Sequence, residues 1–368
     1  MNEDKASRYH RLKRRSAVVS GVLTGGLLIV LLASGASATL RDAALSLSGS
    51  RPGGLGTVAA YMLVLALLQE AVALPIAFYR SFLLERRYGL SSEPLATWVG
   101  DHAKASALGL ALALVGALFV YVTLSAWPRL WWLISAVVFM AAMSGLAKIA
   151  PLVLLPMFYK FTPLDRKPLR DRLVTLSKRA GVPVLGVYEW ALGEKTRRAN
   201  AALVGTGATR RIIISDTLLS QYSDDEIEVI LAHELAHHVH RDILKGLIVE
   251  FLLLLVSFFV ASLALALGWE RLGLAGPADV AGLPLLLIAG GATMLAATPF
   301  VNALSRLHER RADRYALELT KQPAAFISAM RRLAAQNLAE EYPSRLTLWL
   351  FHTHPPIGQR IAAARSYR

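Results

Sequence analysis

The sequence predicts a mainly helical, polytopic membrane protein with about six transmembrane helices and a small α+β domain between the fourth and fifth of them. Of the 368 residues, 55% are hydrophobic and only 18% are charged, an unusually apolar balance for a soluble domain. Six apolar runs approach the ~20 residues with which a helix crosses a ~30 Å hydrocarbon layer. Lysine and arginine concentrate in the segments that flank these runs, where they orient membrane proteins.

The six apolar runs are residues 16–40, 52–79, 105–128, 130–147, 251–269 and 280–305. Only the second contains a charged residue, Glu70. A buried helix of a soluble protein is the alternative for any single run, but such helices are usually shorter. The small residues from Ala33 to Ala38 resemble a signal-peptide cleavage site, yet the first run exceeds the ~7–15 residues of a signal-peptide core. We therefore expect a retained first helix, and cleavage would not change the orientation of the others.

The charge distribution predicts that the N-terminus lies in the cytoplasm. Six basic residues precede the first run: Lys5, Arg8, Arg11, Lys13, Arg14 and Arg15. With six crossings, the basic segments 80–104 and 160–245 also fall on the cytoplasmic side, in agreement with the positive-inside rule. The net charge of +14 then reflects contact with a lipid bilayer, and no nucleic-acid partner is expected. The Ala- and Arg-rich composition favours a bacterial cell (inner) membrane.

The long segment between the fourth and fifth runs changes its pattern twice. Residues 169–180 predict an amphipathic helix that ends at Gly181. Three strands are predicted next, over residues 184–190, 200–205 and 211–215, with Gly205-Thr206-Gly207 as a hairpin turn. Ser223 and Glu226 then have the spacing of a capping box, which predicts the start of another helix.

This helix contains the motif His233-Glu234-Leu235-Ala236-His237. Histidines at i and i+4 lie on one helical face about 5–6 Å apart, so both imidazoles can reach one Zn²⁺ ion. Glu234 then points beside the metal, where it can polarise a bound water. Because the chain contains no cysteine, any metal has to be bound by histidine and carboxylate side chains. We expect one Zn²⁺ per chain; the alternative is a polar patch on an interfacial helix.

A catalytic zinc site needs a third protein ligand and an open position for water. His240 shares a helical face with His233 but lies about 10.5 Å further along the axis, too far to share one ion. His238 points about 100° away from His237. Both are expected to be surface or interface histidines.

A better candidate lies beyond the last apolar run, where four polar residues recur on one helical face: Asn302, Arg306, Glu309 and Asp313. Glu309 is a candidate third ligand, and Asp313 is a candidate acceptor for the free ring N–H of a zinc-bound histidine. The same spacing fits an exposed helix with i,i+4 ion pairs, which is common. Spacing alone leaves both interpretations open.

Together these motifs resemble the metal site of the type I CAAX prenyl proteases, which are integral-membrane zinc endopeptidases. Further similar segments span most of the chain: Leu74-Pro75 through Tyr79, Phe82, Glu85, Tyr88-Gly89, residues 160–164, Ala199-Asn200-Ala201, residues 211–219, and His354-Pro355-Pro356 with Arg360. The sequence departs from the family's eukaryotic members in having one predicted crossing fewer.

The resemblance implies a zincin-like catalytic domain on the cytoplasmic side of the membrane. In such a domain His233, His237 and Glu309 bind the Zn²⁺ ion, and Asp313 accepts a hydrogen bond from the free ring N–H of a zinc-bound histidine. Glu234 takes a proton from the attacking water and later delivers one to the leaving amine.

The resemblance also implies which residues contact substrate. His354 and Arg360 are expected to face the scissile carbonyl, where a cationic donor stabilises developing negative charge. An exposed strand edge is the usual holder of an extended peptide. The strand that begins near Asn200 is the candidate, with Asn200 and Ala201 in contact with substrate; Asn200 is equally typical of a turn at a strand end.

Four regions are therefore predicted: an N-terminal region with four membrane helices (1–158), the catalytic domain (159–243), two membrane helices (244–305), and a helical part that completes the zinc site (306–368). The predicted function is hydrolysis of peptide bonds in a peptide or protein substrate, either lipidated or membrane-associated. One alternative is a quality-control protease for misfolded or stalled membrane chains, since prenylated substrates are not expected in a bacterium. The other is a non-catalytic zinc-binding scaffold, against which the intact Glu234 argues.

Overall fold

The computed structural model describes residues 4–50, 53–205 and 207–367. Pro52, where the second apolar run begins, and Thr206 of the predicted turn lie outside the described residues. The first principal elements are α1 (Lys5–Ala33), α2 (Ala36–Ser48), α3 (Leu55–Phe78), a π-helix (Tyr79–Leu83), α4 (Leu84–Arg87), α5 (Leu95–Ala126) and α6 (Trp131–Phe158). They are followed by β1 (Phe161–Pro163), α7 (Lys167–Arg179), β2 (Gly186–Trp190), β3 (Ala201–Val204), β4 (Arg211–Ser215), α8 (Asp216–Gln221), α9 (Asp224–Val239), α10 (Asp242–Gly268), α11 (Leu283–Thr320), α12 (Pro323–Gln336), α13 (Arg345–Phe351) and α14 (Ile357–Arg365).

Six helices in the described part of the chain are long and apolar enough to cross a membrane: α1, α3, α5, α6, α10 and α11. The predicted number of crossings is confirmed, but the first run is divided. Gly35 has a φ of 74°, and a left-handed glycine commonly ends a helix. The predicted run 16–40 therefore extends over both α1 and α2, and α2 packs against α1 and α3.

The soluble part contains a four-stranded mixed sheet in the order β1-β2-β4-β3. β2 and β4 are parallel, whereas β1 pairs with β2 and β3 with β4 in antiparallel fashion. The three predicted strands are present: β2 and β3 are shorter than predicted, and β4 has the predicted bounds. The sequence did not predict β1, which has only three residues and includes Pro163. β3 is an edge strand, as substrate binding by strand addition requires.

One hydrophobic core joins the soluble segments on either side of the last two membrane helices. It contains side chains from α7, β4, α9, α11 and α12: Leu173, Ile212, Leu235, Leu317 and Phe326 are all buried in it. Because α11 runs without interruption from the membrane into this core, it packs along α9 and brings its carboxylates to the histidine helix. The four-region division of the chain stays a prediction.

Candidate metal centre

The histidine helix α9 begins with the predicted capping box. The backbone N–H of Ser223 donates to Glu226 Oε2 at 2.9 Å, and the backbone N–H of Glu226 donates to Ser223 Oγ at 3.3 Å. These reciprocal bonds satisfy N–H groups that the first turn of a helix leaves free. They fix the start of α9 and hence the direction in which its histidines point.

His233 and His237 of α9 and Glu309 of α11 converge, with one donor atom of each lying within 4.8 Å of the others. His233 Nε2 lies 3.2 Å from Glu309 Oε2, and His237 Nε2 lies 3.4 Å from Glu309 Oε1. Ligands at about 2.0–2.1 Å from a tetrahedral zinc are separated from one another by about 3.3 Å. Glu309 Oε2 is buried and has no hydrogen-bond partner among the described residues. The donor set and its spacing therefore fit a zinc ion.

Each of these histidines also contacts a carboxylate through its other ring nitrogen. His233 Nδ1 lies 2.9 Å from Asp313 Oδ1, and His237 Nδ1 lies 3.2 Å from Asp242 Oδ2. A carboxylate at Nδ1 places the ring proton there and leaves Nε2 as the metal-binding atom. Both Nε2 atoms face Glu309, so the tautomers favour one shared ion.

Asp242 is the residue of this centre that the sequence analysis missed. It follows His237 by five positions, and an uninterrupted helix would turn its side chain away from that of His237. Arg241 instead adopts a left-handed conformation with a φ of 55° between α9 and α10. This change of direction brings Asp242 back to His237 and joins the metal helix directly to a membrane helix.

Arg360 of α14 is bound to Asp313 by two hydrogen bonds. Its Nε donates to Asp313 Oδ2 at 2.8 Å, and its Nη2 donates to Asp313 Oδ1 at 2.5 Å. A two-pronged arginine–carboxylate pair fixes the carboxylate in orientation as well as in position. The guanidinium also borders the cleft described below. The expectation that it faces a scissile carbonyl stays a prediction, and its observed contact is with the carboxylate that orients His233.

The electrostatic environment raises the pKa values of both His233 and Glu234, for different physical reasons. Burial acts to lower the pKa of His233, but its close contacts with the Asp313 and Glu309 carboxylates outweigh burial and raise that pKa to about 9. Burial raises the pKa of Glu234, with the two histidines opposing the shift. A carboxyl group whose pKa is shifted toward neutrality is suited to accept and return a proton.

A cleft of about 380 Å³ opens beside these residues. His233, Glu234, His354 and the segment 199–201 all line it. His354 Nε2 is 3.4 Å from Glu309 Oε2, and its side chain is 59% exposed. The ring therefore stands at the solvent-exposed side of the cleft next to the Glu309 carboxylate.

Asn200 and Ala201 both line the cleft at the start of β3. The backbone of Asn200 is fixed by Ser215, whose Oγ accepts from the Asn200 N–H at 2.9 Å and whose N–H donates to the Asn200 carbonyl at 2.9 Å. The structure thus places every residue predicted for the site either in the lining of this cleft or in the metal centre beside it. Their individual roles stay predictions.

Comparison with known families gives two matches that together cover most of the chain. Residues 163–368 match the model of peptidase family M48. Residues 2–160 match a model described as the CAAX prenyl protease N-terminal region with five membrane helices. The metal centre and the cleft beside it are formed mainly by the first of these regions.

Individual proteins give the same result. The chain is 30% identical over 363 residues, which is 98% of its length and 84% of the relative's, to a Bacillus subtilis protein named "Uncharacterized metalloprotease YhfN". It is 28% identical to CAAX prenyl protease 1 of Saccharomyces cerevisiae, covering 82% of this chain and 70% of that one. The crystal structure of S. mikatae Ste24p superposes with a TM-score of 0.88 at 21% identity, over 99% of this chain and 88% of the other. This last likeness shows the same fold.

Proposed function

This chain belongs to peptidase family M48, and we propose that it is a zinc endopeptidase in which His233, His237 and Glu309 hold the ion. It is a membrane metalloprotease by family and fold. The observation that carries the choice of ligands is the orientation of the two imidazoles. Both Nδ1 atoms are bound by carboxylates, while both Nε2 atoms face the carboxylate oxygens of Glu309. Two nitrogen donors and one carboxylate are a common ligand set for catalytic zinc.

The proposed chemistry is attack of water on a peptide carbonyl. His233, His237 and Glu309 would hold the zinc ion, which would supply a Lewis acid for the carbonyl and would lower the pKa of a water molecule from 15.7 toward about 7. Glu234, which borders the cleft, takes the water proton and delivers it to the leaving amine. His354 at the open side of the cleft donates to the developing oxyanion. Arg360 acts through Asp313 by holding the His233 ring in place.

Substrate lies extended along the edge of β3. The segment 199–201 borders the cleft, and β3 is a terminal strand of the sheet, so a peptide can add to it through main-chain hydrogen bonds. We assign to Asn200 a side-chain contact with this peptide and to Ala201 a main-chain contact. The scaffold alternative has no need for a cleft that joins a strand edge to Glu234.

The substrate is membrane-associated in this proposal, and lipidated chains are its first candidates. Two observations support it: the metal helix is followed at once by α10, with only His238 to Arg241 between the motif and a membrane helix, and relatives are named CAAX prenyl proteases. Misfolded or stalled membrane chains remain the second substrate class, because a cleft at the membrane surface suits them equally. We place the active site on the cytoplasmic side of a bacterial cell membrane because the basic N-terminal residues favour retention there.

The test is cleavage of two quenched peptides of identical sequence, one farnesylated, by purified protein of measured zinc content. Wild type is expected to bind one zinc per chain and to cleave, whereas Glu234→Gln keeps zinc and loses activity by about 10³-fold or more. Glu318→Gln is the matched control, since Glu318 is exposed on α11 and is expected to behave as wild type. Undiminished cleavage by Glu234→Gln would exclude it as the base. A preference for the farnesylated peptide supports the lipidated class, and equal rates support the second class.

A further inference from the structure

The cleft beside the metal centre is lined partly by the first membrane helix. His10 of α1 lines the same cavity as His233 and Glu234, although more than two hundred residues separate them in sequence. Around it lie Asn337, Ala339, Glu340 and His352 from the segment that joins α12 to α13 and from the end of α13. Neither the metal site nor the proposed mechanism uses these residues.

α1 is attached to the segment that joins α12 to α13 through three polar contacts. His10 Nε2 donates to the Leu338 carbonyl at 2.7 Å. Arg14 Nη1 and Nη2 donate to Glu340 Oε2 and Oε1 at 2.5 and 3.3 Å. The Glu340 side chain is only 8% exposed, so this two-pronged pair is well ordered, unlike an ordinary surface ion pair.

α1 is attached to the strand side of the cleft as well. Arg198, two residues before Asn200, donates from Nη2 to the Tyr9 hydroxyl at 2.6 Å, and Tyr9 is fully buried. Consecutive residues of α1 therefore contact two different segments, because Tyr9 contacts the segment that enters β3 and His10 contacts the α12–α13 segment. Both segments contribute residues to the lining of the cleft, so α1 links them.

Two features show that the α12–α13 segment is held in a defined conformation next to the cavity. Leu338, whose carbonyl accepts from His10, has a φ of 50°, a strained conformation that persists only where its surroundings fix it. Asn337 Oδ1 is buried and has no hydrogen-bond partner among the described residues. A buried acceptor is unfavourable until a donor reaches it, and an amide N–H of a bound peptide is such a donor.

We propose that His10 and Glu340, the latter held in place by Arg14, form an end wall of the substrate cleft and limit how many residues a substrate carries on that side of the scissile bond. They are specificity-determining residues that take no part in the chemistry. The inference rests on the proposed peptidase site, because the wall is defined relative to the metal. It gives the first membrane helix a direct part in substrate selection.

Two peptide series test the wall. They share one core around the scissile bond and are lengthened from roughly two to roughly eight residues on the amino or on the carboxyl side. Wild type is expected to lose about tenfold in kcat/KM beyond a threshold length in one of the two series. Three alanine variants are expected to recover most of the lost kcat/KM for the long peptides: His10→Ala, Arg14→Ala and Glu340→Ala. The recovery is measured relative to the shortest peptide cleaved by the same variant.

The matched control is Arg8→Ala, which removes the same charge from an exposed position of α1 and is expected to keep the threshold. The double variant Arg14→Glu with Glu340→Arg re-forms the ion pair with its charges exchanged. This variant is expected to show the length threshold of wild type again. If Arg14→Ala fails to fold, His10→Ala still removes one contact while leaving the ion pair. Absence of a threshold in both wild-type series, or a threshold that all folded wall variants retain, would overturn the proposal.

A binding measurement separates this inference from the catalytic assignment. Glu234→Gln protein is incubated with peptides of threshold length that carry a photoreactive group at the terminal residue of the limited side. Crosslinks to residue 10 or to residues 337–340 are expected even if the assignment of Glu234 is wrong. Crosslinks elsewhere would refute the end wall and leave the peptidase assignment intact.

Discussion

Replacement of Asp242 by alanine examines the one partner in the metal centre that no sequence motif indicated. Its side chain is 5% exposed, and it binds His237 Nδ1 at 3.2 Å. Asp242 Oδ1 also lies 3.2 Å from Lys245 Nζ, 3.8 Å from His308 Nε2 and 3.9 Å from Arg311 Nη2. The Lys245 and Arg311 side chains are 41% and 48% exposed, so those pairs contribute little, and the contact with His308 is long. The contact with His237 is therefore the main interaction lost in Asp242→Ala.

The expected loss follows from what a carboxylate does for a metal-bound histidine. Removing such a partner typically reduces metal affinity or activity by about 10–100-fold, or about 1.4–2.7 kcal/mol. Asp242→Asn keeps an acceptor without its charge and is expected to fall between wild type and Asp242→Ala. Lys245→Ala leaves the His237–Asp242 contact in place and serves as the control, with a change of less than about twofold.

The assay is competition for Zn²⁺ with a chromophoric chelator, using purified protein in detergent. Peptide cleavage at saturating Zn²⁺ then shows whether the loss is one of affinity alone. A zinc affinity of Asp242→Ala equal to that of wild type, in protein with an unchanged unfolding midpoint, would refute the argument that Asp242 orients His237 for the metal.

Three further outcomes are expected. Treatment with 1,10-phenanthroline should abolish cleavage. Zn²⁺ but not Mg²⁺ should restore cleavage, because two imidazole ligands favour zinc over a hard cation. Recovery of cleavage with Mg²⁺ would contradict the proposed ligand set. Arg360→Gln should lower kcat/KM by about 10–100-fold at saturating zinc. Arg360→Lys should be intermediate, because it keeps the charge but loses the two-pronged geometry. Equal kinetics of wild type and both variants would show that Arg360 has no role in the site. Phe326→Ala should destabilise the soluble core by about 3–5 kcal/mol, because Phe326 is fully buried. Tyr342→Ala is the control, since Tyr342 is 87% exposed. Thermal unfolding of both variants measures the difference, and similar unfolding midpoints would contradict the shared core.

Much of the fold was predictable because membrane helices and the histidine helix leave local signatures. Uncharged runs of sufficient length identify the six crossings, and Ser223 with Glu226 identifies the start of α9. Gly35 was harder to interpret. A glycine within an apolar run is ordinary in a membrane helix, and only its left-handed conformation shows that α1 ends before it.

The candidate site was also predictable only where its residues lie on a single helix. The i,i+4 spacing that brings His233 and His237 to one face is a property of a single helix, and so is the spacing of Glu309 and Asp313. Spacing did not decide whether the second pair faces the first, because that depends on how α11 packs along α9. The resemblance to a known family supplied this step before the structure did.

Two features lay beyond any local pattern. Asp242 reaches His237 only because the left-handed Arg241 interrupts the helix between α9 and α10. His10 reaches the Leu338 carbonyl across 328 positions of sequence, and nothing near His10 distinguishes it from a basic residue that anchors a membrane helix. Both contacts arise from tertiary packing.

The most direct test of the metal centre is an anomalous diffraction map of crystals of the purified protein, measured on both sides of the zinc absorption edge. The account predicts one zinc peak per chain, at about 2.0–2.2 Å from the Nε2 atoms of His233 and His237 and from a carboxylate oxygen of Glu309. A peak bound by other residues, or full peptidase activity in protein whose crystals show no zinc at these three side chains, would contradict it.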